Sequence, residues 1–515
     1  MVPEFKNEPL SDFSRTEERT AMEAALKQVS AEFEREWPLV IGGENVTTGA
    51  WIECFDPCRK ERRVGRVARA ARPEAEQALD AAWSAFEEWS RWRPEERARL
   101  LLKAAGLLRR QKHVFSATMV YEAGKTWPEA DGDTAEAIDF LEYYAREALR
   151  LATPLVMPRL TGEDNEMMYL PLGVGIVIPP WNFPMAITLG MTAAAIVCGN
   201  TVLLKPASVT PIIAARFVAL LEEAGMPAGV VNFVPGGGAD IGDFLVGHPR
   251  TRFISFTGSR EVGTHIYALA AQVQHGQRWL KRVVAEMGGK DAIVVDETAD
   301  LALAAEGITT SAFGFQGQKC SAASRAIVLE PVYQEVLTQV ARRTEALRLG
   351  PAEDPASQVA AVIDESQFRK VLSYMEVGAR EGRLVVGGEP DGADGWYIQP
   401  TVFADIPEDG RMAQEEIFGP VLSVIRARDY DHALAIANNT EYGLTGGVYS
   451  RDRRRLERAR AEFHVGNLYL NRKITGAMVG AQPFGGFNMS GTDSKAGGPD
   501  YLQLFLQAKV VVERF

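Results

Sequence analysis

Over residues 15–36, apolar Met22, Leu26, Val29 and Phe33 recur three or four residues apart among charged neighbours, which predicts an amphipathic helix packing one stripe on a larger body. Between Leu39 and Ala71 the pattern shortens to strand-like runs with turn signals at Gly42-Gly43 and Asp56-Pro57. Helical periodicity returns from Pro73 to Arg150, with breaks expected near Gly124 and Gly132. Residues 153–168 are poor in periodicity and read as a linker or an arm. A βα alternation then begins at Leu172, with strand-like runs at 172–178, 201–205, 230–234 and 252–256 separated by apolar helical segments. A second series follows at 291–296, 325–329, 420–426, 443–449 and 465–471, and the break between the two lies near Gly288-Gly289. The chain is therefore expected to be α/β, with two successive parallel sheets. The final run, Lys509-Val510-Val511-Val512-Glu513-Arg514-Phe515, is an apolar strand with charged ends, suited to another subunit's sheet or to an edge of its own domain.

A chain of 515 residues is long enough for two or three domains and a large core. With 56 basic against 68 acidic residues the net charge is −12, and no dense basic run is present, so nucleic acid is not an expected partner. Four cysteines and six histidines argue for a reduced compartment without a disulfide frame. Cys54 and Cys58 lack a second Cys or His pair at zinc-like spacing, so no metal site is expected. Glu4, Lys6, Glu8 and Asp12 stand where a signal sequence would be apolar, which makes a cytoplasmic location the expectation. Residues 167–204 carry no charge and imitate a membrane span in length, but Pro171, Gly173, Gly175, Pro179, Pro180 and Pro184 interrupt them. They read as a buried strand, a turn and a buried helix.

The candidate chemistry centres on Gly314-Phe315-Gln316-Gly317-Gln318-Lys319-Cys320-Ser321-Ala322-Ala323-Ser324-Arg325. Cys320 follows two glycines and sits among small residues, where a carbonyl substrate and backbone N–H groups can approach a nucleophilic sulfur. A lone cysteine is more often structural, but the length of this motif and its partners elsewhere reverse that preference. Pro179-Pro180-Trp181-Asn182-Phe183-Pro184 follows a buried strand, and its prolines can hold the Asn182 amide as a donor to a developing oxyanion, or simply satisfy a turn. Lys205, before Pro206, ends the next strand at the edge where nucleotides bind in such sheets. Phe256-Thr257-Gly258-Ser259 runs from a strand end into a helix whose free N–H groups suit a pyrophosphate, and it equally makes an N-cap. The glycines from Gly236 to Gly242 have a GxGxxxG spacing, weaker evidence than GxGxxG. In Glu286-Met287-Gly288-Gly289-Lys290 an acid precedes a glycine pair that lets the backbone pass close to another surface.

Together with Glu415-Glu416-Ile417-Phe418-Gly419-Pro420, these segments resemble the aldehyde dehydrogenase superfamily in residue and order, from about residue 38 to 515. Residues 314–325, 471–477 and 482–486 look like the branch that oxidises glutamate γ-semialdehyde, formed from 1-pyrroline-5-carboxylate, to glutamate in proline breakdown. No proline dehydrogenase region precedes them, so the resemblance implies a stand-alone enzyme coupled to a separate proline dehydrogenase. It implies Cys320 as nucleophile, the Asn182 amide as oxyanion donor and Glu286 as general base. Glu416 would hold the nicotinamide ribose of NAD and Phe418 would flank the ring; Lys205 would take the adenosine ribose, with Trp181, Gly258 and Ser259 by the pyrophosphate. Ser321, Gly476 and Ala477 would anchor the substrate's α-carboxylate with a hydroxyl and N–H groups and no cationic side chain, Phe183 and Phe484 would box the stem, and Glu136 would line the entrance.

The resemblance also implies a Rossmann-like cofactor domain over 1–148 and 170–288, an α/β catalytic domain over 289–495, and a β bridging arm from 149–169 and 496–515 that makes a homo-oligomer of at least two subunits. One position departs from a common pattern of the family: where many relatives carry a ribose-binding glutamate after the Lys-Pro pair, this chain has Ser208. That removes a charge opposing a 2′-phosphate, so NAD with measurable use of NADP is expected, unless Ser208 only caps the following helix. A succinate-semialdehyde oxidiser is the nearest rival; a catalytically silent structural relative is another, disfavoured by the intact Cys320, Glu286 and Asn182 set.

Overall fold

The computed structural model describes residues 3–153, 155, 157–391 and 394–515. The helix predicted over 15–36 is Thr16–Ser30, burying Met22, Ala25, Leu26 and Val29, and the chain then turns into a short strand, Arg35–Trp37. Helices Arg72–Trp89, Pro94–Arg110, Lys112–Ala123 and Trp127–Leu151 follow. Gly124, in the left-handed region at φ 65°, ends the third of them as expected. Gly132, however, lies inside Trp127–Leu151 and breaks nothing. A helical glycine costs only about 1 kcal/mol relative to alanine, and this helix offsets it by burying Trp127, Ile138, Phe140, Leu141 and Tyr144.

The first parallel sheet contains β1 (Val174–Ile178), β2 (Thr201–Leu204), β3 (Val231–Phe233), β4 (Phe253–Thr257) and β5 (Arg282–Glu286) in the order β5-β4-β1-β2-β3. An antiparallel hairpin, Leu39–Ile41 with Glu44–Val46, extends it beyond β3. Its inner strands are buried on both faces, which is why their sequences are continuous apolar runs and do not alternate. The chain moves outward from β1 through β3 and returns to the other side of β1 for β4 and β5. Connections therefore leave the carboxyl ends of β1 and β4 in opposite directions, opening a crevice at that switch point.

The second sheet contains β6 (Ala292–Val295), β7 (Arg325–Leu329), β8 (Thr401–Ala404), β9 (Val421–Ala427), β10 (Thr445–Tyr449) and β11 (Asn467–Leu470) in the order β8-β9-β7-β6-β10-β11, all parallel, with Arg383–Val386 antiparallel at the β8 edge. Residues 287–291 join β5 to β6, so the carboxyl end of the first sheet meets the amino end of the second. Cys320 lies just before β7, at that amino end.

Glu163–Pro171 pairs antiparallel with Leu506–Arg514 of the same chain, in register from Leu506 opposite Pro171 to Arg514 opposite Glu163. The last part of the region expected to be an unpatterned arm, from Glu163 on, is thus a strand, while Pro154 and Val156 within it lie outside the described residues. Val510, Val511 and Val512 are exposed on this ribbon, whereas Tyr501, Leu502 and Phe505 just before it are buried in the core beneath the first sheet. Among the described residues no helix is long and apolar enough to cross a membrane. The uncharged stretch 167–204 contains β1, a turn and the buried helix Ala186–Val197, as its prolines predict, and ends in β2.

Candidate active site

Cys320 is half-buried, while Cys54, Cys58 and Cys198 are buried free thiols. The backbone leading to it is bent hard: Phe315 and Gln316 have φ of 48° and 56°, a left-handed conformation unusual for such residues. Long-range bonds hold it there, since the buried Gln316 amide donates to the carbonyls of Gly124 (3.1 Å) and Ala361 (2.7 Å). The Asn182 amide, buried after β1, donates to the Gln318 carbonyl at 3.0 Å, which places it against the same turn. Burial pushes the Cys320 thiol well up, and the carboxylates of Asp291, Glu416 and Glu286 push it further; the Ser321 N–H acts in the opposite sense.

The glycine pair explains how those carboxylates come so close. A Cβ on Gly288 would collide with the Glu416 carboxylate, and one on Gly289 would lie 2.8 Å from the Cys320 carbonyl. The Gly289 N–H also donates to Glu416 at 3.0 Å. Glu286, ending β5, accepts from the Ser494 hydroxyl and, at 3.4 Å, from the Gly486 N–H. Burial raises its carboxyl to about 8 despite those donors. Gly485 and Gly491 crowd the same carboxylate, so Phe484 sits one residue from its contacts.

At the crevice of the first sheet, Trp181 and Phe418 meet edge to face with ring centroids 5.4 Å apart. Phe418 is left-handed at φ 60°, and the Gln367 amide pins both its carbonyl (2.7 Å) and that of Ile417 (3.0 Å). Lys205 is buried at the end of β2, where burial lowers its ammonium to about 8 and Asp240 opposes that fall. Ser259 caps helix Arg260–Ala270 by accepting from the Val262 N–H, leaving the first N–H groups of that helix beside Gly258. Ser208 is exposed in a turn and does not cap the next helix: Pro211 is the first residue of Pro211–Ala224 and Thr210 holds the N-cap position. The alternative role considered for Ser208 is therefore removed.

The remaining candidates surround charges that the sequence reading missed. Lys125 and Asp133 form a fully buried ion pair at 3.0 Å, and the Lys125 ammonium lies 4.1 Å from the Phe183 ring centroid and 4.2 Å from that of Phe315. Lys319, next to Cys320, pairs with Glu129 at 2.7 Å. Burial raises the Glu136 carboxyl to about 8; Asp133 adds to the shift, and Lys125 and Lys319 oppose it. Ser321 is buried, its carbonyl accepting from the Thr445 hydroxyl at 3.4 Å. Gly476 is exposed at φ 74°, Ala477 follows it, and the Lys473 ammonium comes within 3.8 Å of where a Cβ on Gly476 would sit. A cation does stand beside the expected anchor. Glu129, Asp133 and Glu136 recur at i, i+4 and i+7 on Trp127–Leu151. An acidic stripe with helical period on an otherwise buried helix was the available signal.

The model of the aldehyde dehydrogenase family matches residues 45–511. A 1-pyrroline-5-carboxylate dehydrogenase of Geobacillus kaustophilus is 60% identical over 515 residues, 100% of each chain. The solved structure of that enzyme from Thermus with bound NAD superposes with a TM-score of 0.99 at 56% identity, again over 100% of both chains. Proline utilization A of Bdellovibrio bacteriovorus matches with a TM-score of 0.98 at 44% identity, over 99% of this chain and 53% of that one. On this full-length agreement the chain belongs to the aldehyde dehydrogenase family.

Proposed function

We propose that the protein oxidises glutamate γ-semialdehyde to glutamate with NAD, as the names of its relatives indicate. The observation that carries this reading is the convergence on one joint between two sheets of a thiol, a buried carboxyl raised to about 8 and an amide donor: Cys320, Glu286 and Asn182. Cys320 passes its proton to solvent and forms the S–C bond, while the carbonyl electrons move to oxygen and are held by the Asn182 amide and the Cys320 N–H. NAD, when bound, would supply the acceptor for the hydride that this carbon must lose as the C=O re-forms. Glu286 then takes a proton from water, the water oxygen bonds to the thioester carbon and the sulfur departs, so that aldehyde plus water becomes acid with two electrons removed.

The crevice residues fit the dinucleotide. Lys205 offers a buried cation for the adenosine ribose, Gly258 and Ser259 offer helix N–H groups for the pyrophosphate beside Trp181, and Glu416 with Phe418 stands where the nicotinamide end would meet Cys320. Exposed Ser208 leaves room for limited use of NADP. For the substrate, Ser321, Gly476 and Ala477 anchor the α-carboxylate with Lys473 adding charge, Phe183 and Phe484 flank the stem, and Glu136 lines the entrance.

The same reading assigns cofactor binding to 1–148 and 170–288 and catalysis to 289–495. It makes 149–169 with 496–515 an arm for homo-oligomers, supported by the apolar residues exposed on the ribbon. A cytoplasmic location and coupling to a separate proline dehydrogenase belong to this proposal; the partial match to proline utilization A supports the latter. Initial rates with a panel of aldehydes and both dinucleotides test it. Glutamate γ-semialdehyde with NAD should give the highest kcat/KM, and equal efficiency on an uncharged aldehyde of the same length, or on succinate semialdehyde, would sink the substrate assignment.

A further inference from the structure

Residues 3–12 lie along helix Trp127–Leu151 and are tied to it at intervals. The Arg146 guanidinium donates to the Pro3 carbonyl (2.9 Å), Phe5 packs edge to face on Tyr143 (5.2 Å), the Glu8 N–H donates to Asp139 (2.6 Å) and the Ser11 N–H to Asp131 (2.8 Å). Lys112 closes the far end on the Pro9 carbonyl (2.9 Å) and Asp131 (2.9 Å). One residue of this strap reaches beyond the helix. The Asn7 amide nitrogen donates to Asp139 at 2.7 Å and to the Val479 carbonyl at 3.0 Å. Val479 follows Gly476 and Ala477 by three and two residues, and a Cβ on neighbouring Gly480 would lie 3.0 Å from Tyr143 and 3.1 Å from Phe5. The helix carries Glu136 and Asp133 on the substrate side, so Asn7 bridges the two walls between which the proposed substrate lies.

We propose that Asn7 is a positioning residue for substrate specificity: it fixes the loop bearing Gly476 and Ala477 against helix Trp127–Leu151, and so sets the fit of the carboxylate end of the substrate without touching it. The inference rests on the substrate reading above. In Asn7→Leu, which keeps the bulk and removes the donor, KM for glutamate γ-semialdehyde should rise about three- to tenfold, the size expected for one lost hydrogen bond, with kcat within about twofold. KM for pentanal, which has no carboxylate for the loop, should not change, and Asn7→Gln should restore part of the loss. Equal rises for both aldehydes, or none, overturn the proposal. Amide exchange supplies a readout independent of substrate. The Gly480 and Gln482 N–H groups, bonded to Gly497 (2.9 Å) and Met478 (2.8 Å), should exchange faster in Asn7→Leu while helix Ala186–Val197 is unaffected. If the unmodified enzyme handles pentanal as well as the semialdehyde, the substrate reading falls, and unchanged exchange in the variant then removes the strap as well. Should Asn7→Leu fail to fold, Asn7→Ser, whose shorter side chain cannot span both acceptors, is read in the same way.

Discussion

The two sheets are built alike, parallel strands closed at one edge by antiparallel ones, yet they present opposite ends to the cleft. The first offers its carboxyl ends, with a buried lysine, an amide and a helix start, groups that receive negative charge. The second offers its amino ends, where Cys320 and Asp291 precede the strands and Glu416 folds in beside them. One side gathers groups that attract an anion, and the other surrounds the proposed nucleophile with groups that oppose its ionisation. A parallel sheet thus does not dictate one kind of site; what matters is which end meets which across the Gly288-Gly289 crossing.

That division can be broken most severely at the sulfur. Cys320→Ala should abolish aldehyde oxidation while the Kd for NAD, measured by fluorescence quenching, stays within about twofold. Appreciable turnover would remove Cys320 from the chemistry, and a large loss of cofactor affinity would show that the two sides are not separable.

Glu286→Gln tests the same side less drastically. Steady turnover should fall about 10²- to 10⁴-fold, while rapid mixing still gives a burst of reduced cofactor. Because burial raises the Glu286 carboxyl to about 8, the residue becomes a competent base only as pH rises through that value. In the unmodified enzyme the thioester-hydrolysis rate should therefore increase with pH up to about 8 and then level off; in the variant that limb should vanish, and its persistence would assign it to another group.

On the cofactor side, Lys205→Met should raise KM for NAD about ten- to a hundredfold, in keeping with a lost hydrogen bond from a charged group, with the burst amplitude intact at saturation. Loss of the burst under saturating NAD would mean that the lysine serves the chemistry as well as the cofactor. The smallest effect is expected at Ser208. Ser208→Glu should cut activity with NADP about tenfold or less and leave NAD nearly unchanged, since the added carboxylate repels only a 2′-phosphate. Parallel changes with both dinucleotides would refute a discriminating role.

Most of the parallel strands and the residues at their ends could be read from the chain because both are local, whereas the short strands Arg282–Glu286 and Thr401–Ala404 fall outside the runs expected. A run such as 201–205 carries its own pattern, and Lys205 follows it directly. The groups between were hidden because their partners are remote. Asn7 meets Val479 across 472 residues, Lys319 meets Glu129 across 190, and Gln316 bonds to Gly124 and Ala361. Gly132 misled for the opposite reason: a local preference of about 1 kcal/mol yields to burial of the whole helix. At Ser208 the type of residue suited a cap, but Pro211 begins the helix later and leaves Thr210 in the capping place.

The carboxylates gathered about Cys320 also bear on how the enzyme ages. Peroxide and alkylating agents attack thiolates, and a thiol whose ionisation is opposed by burial, and further by the surrounding carboxyl groups as they ionise, presents less of it at neutral pH than a free cysteine. The idle enzyme should therefore keep its sulfur reduced through oxidative exposure that would inactivate an enzyme with a standing thiolate, and iodoacetate, an anion, should label it more slowly than neutral iodoacetamide.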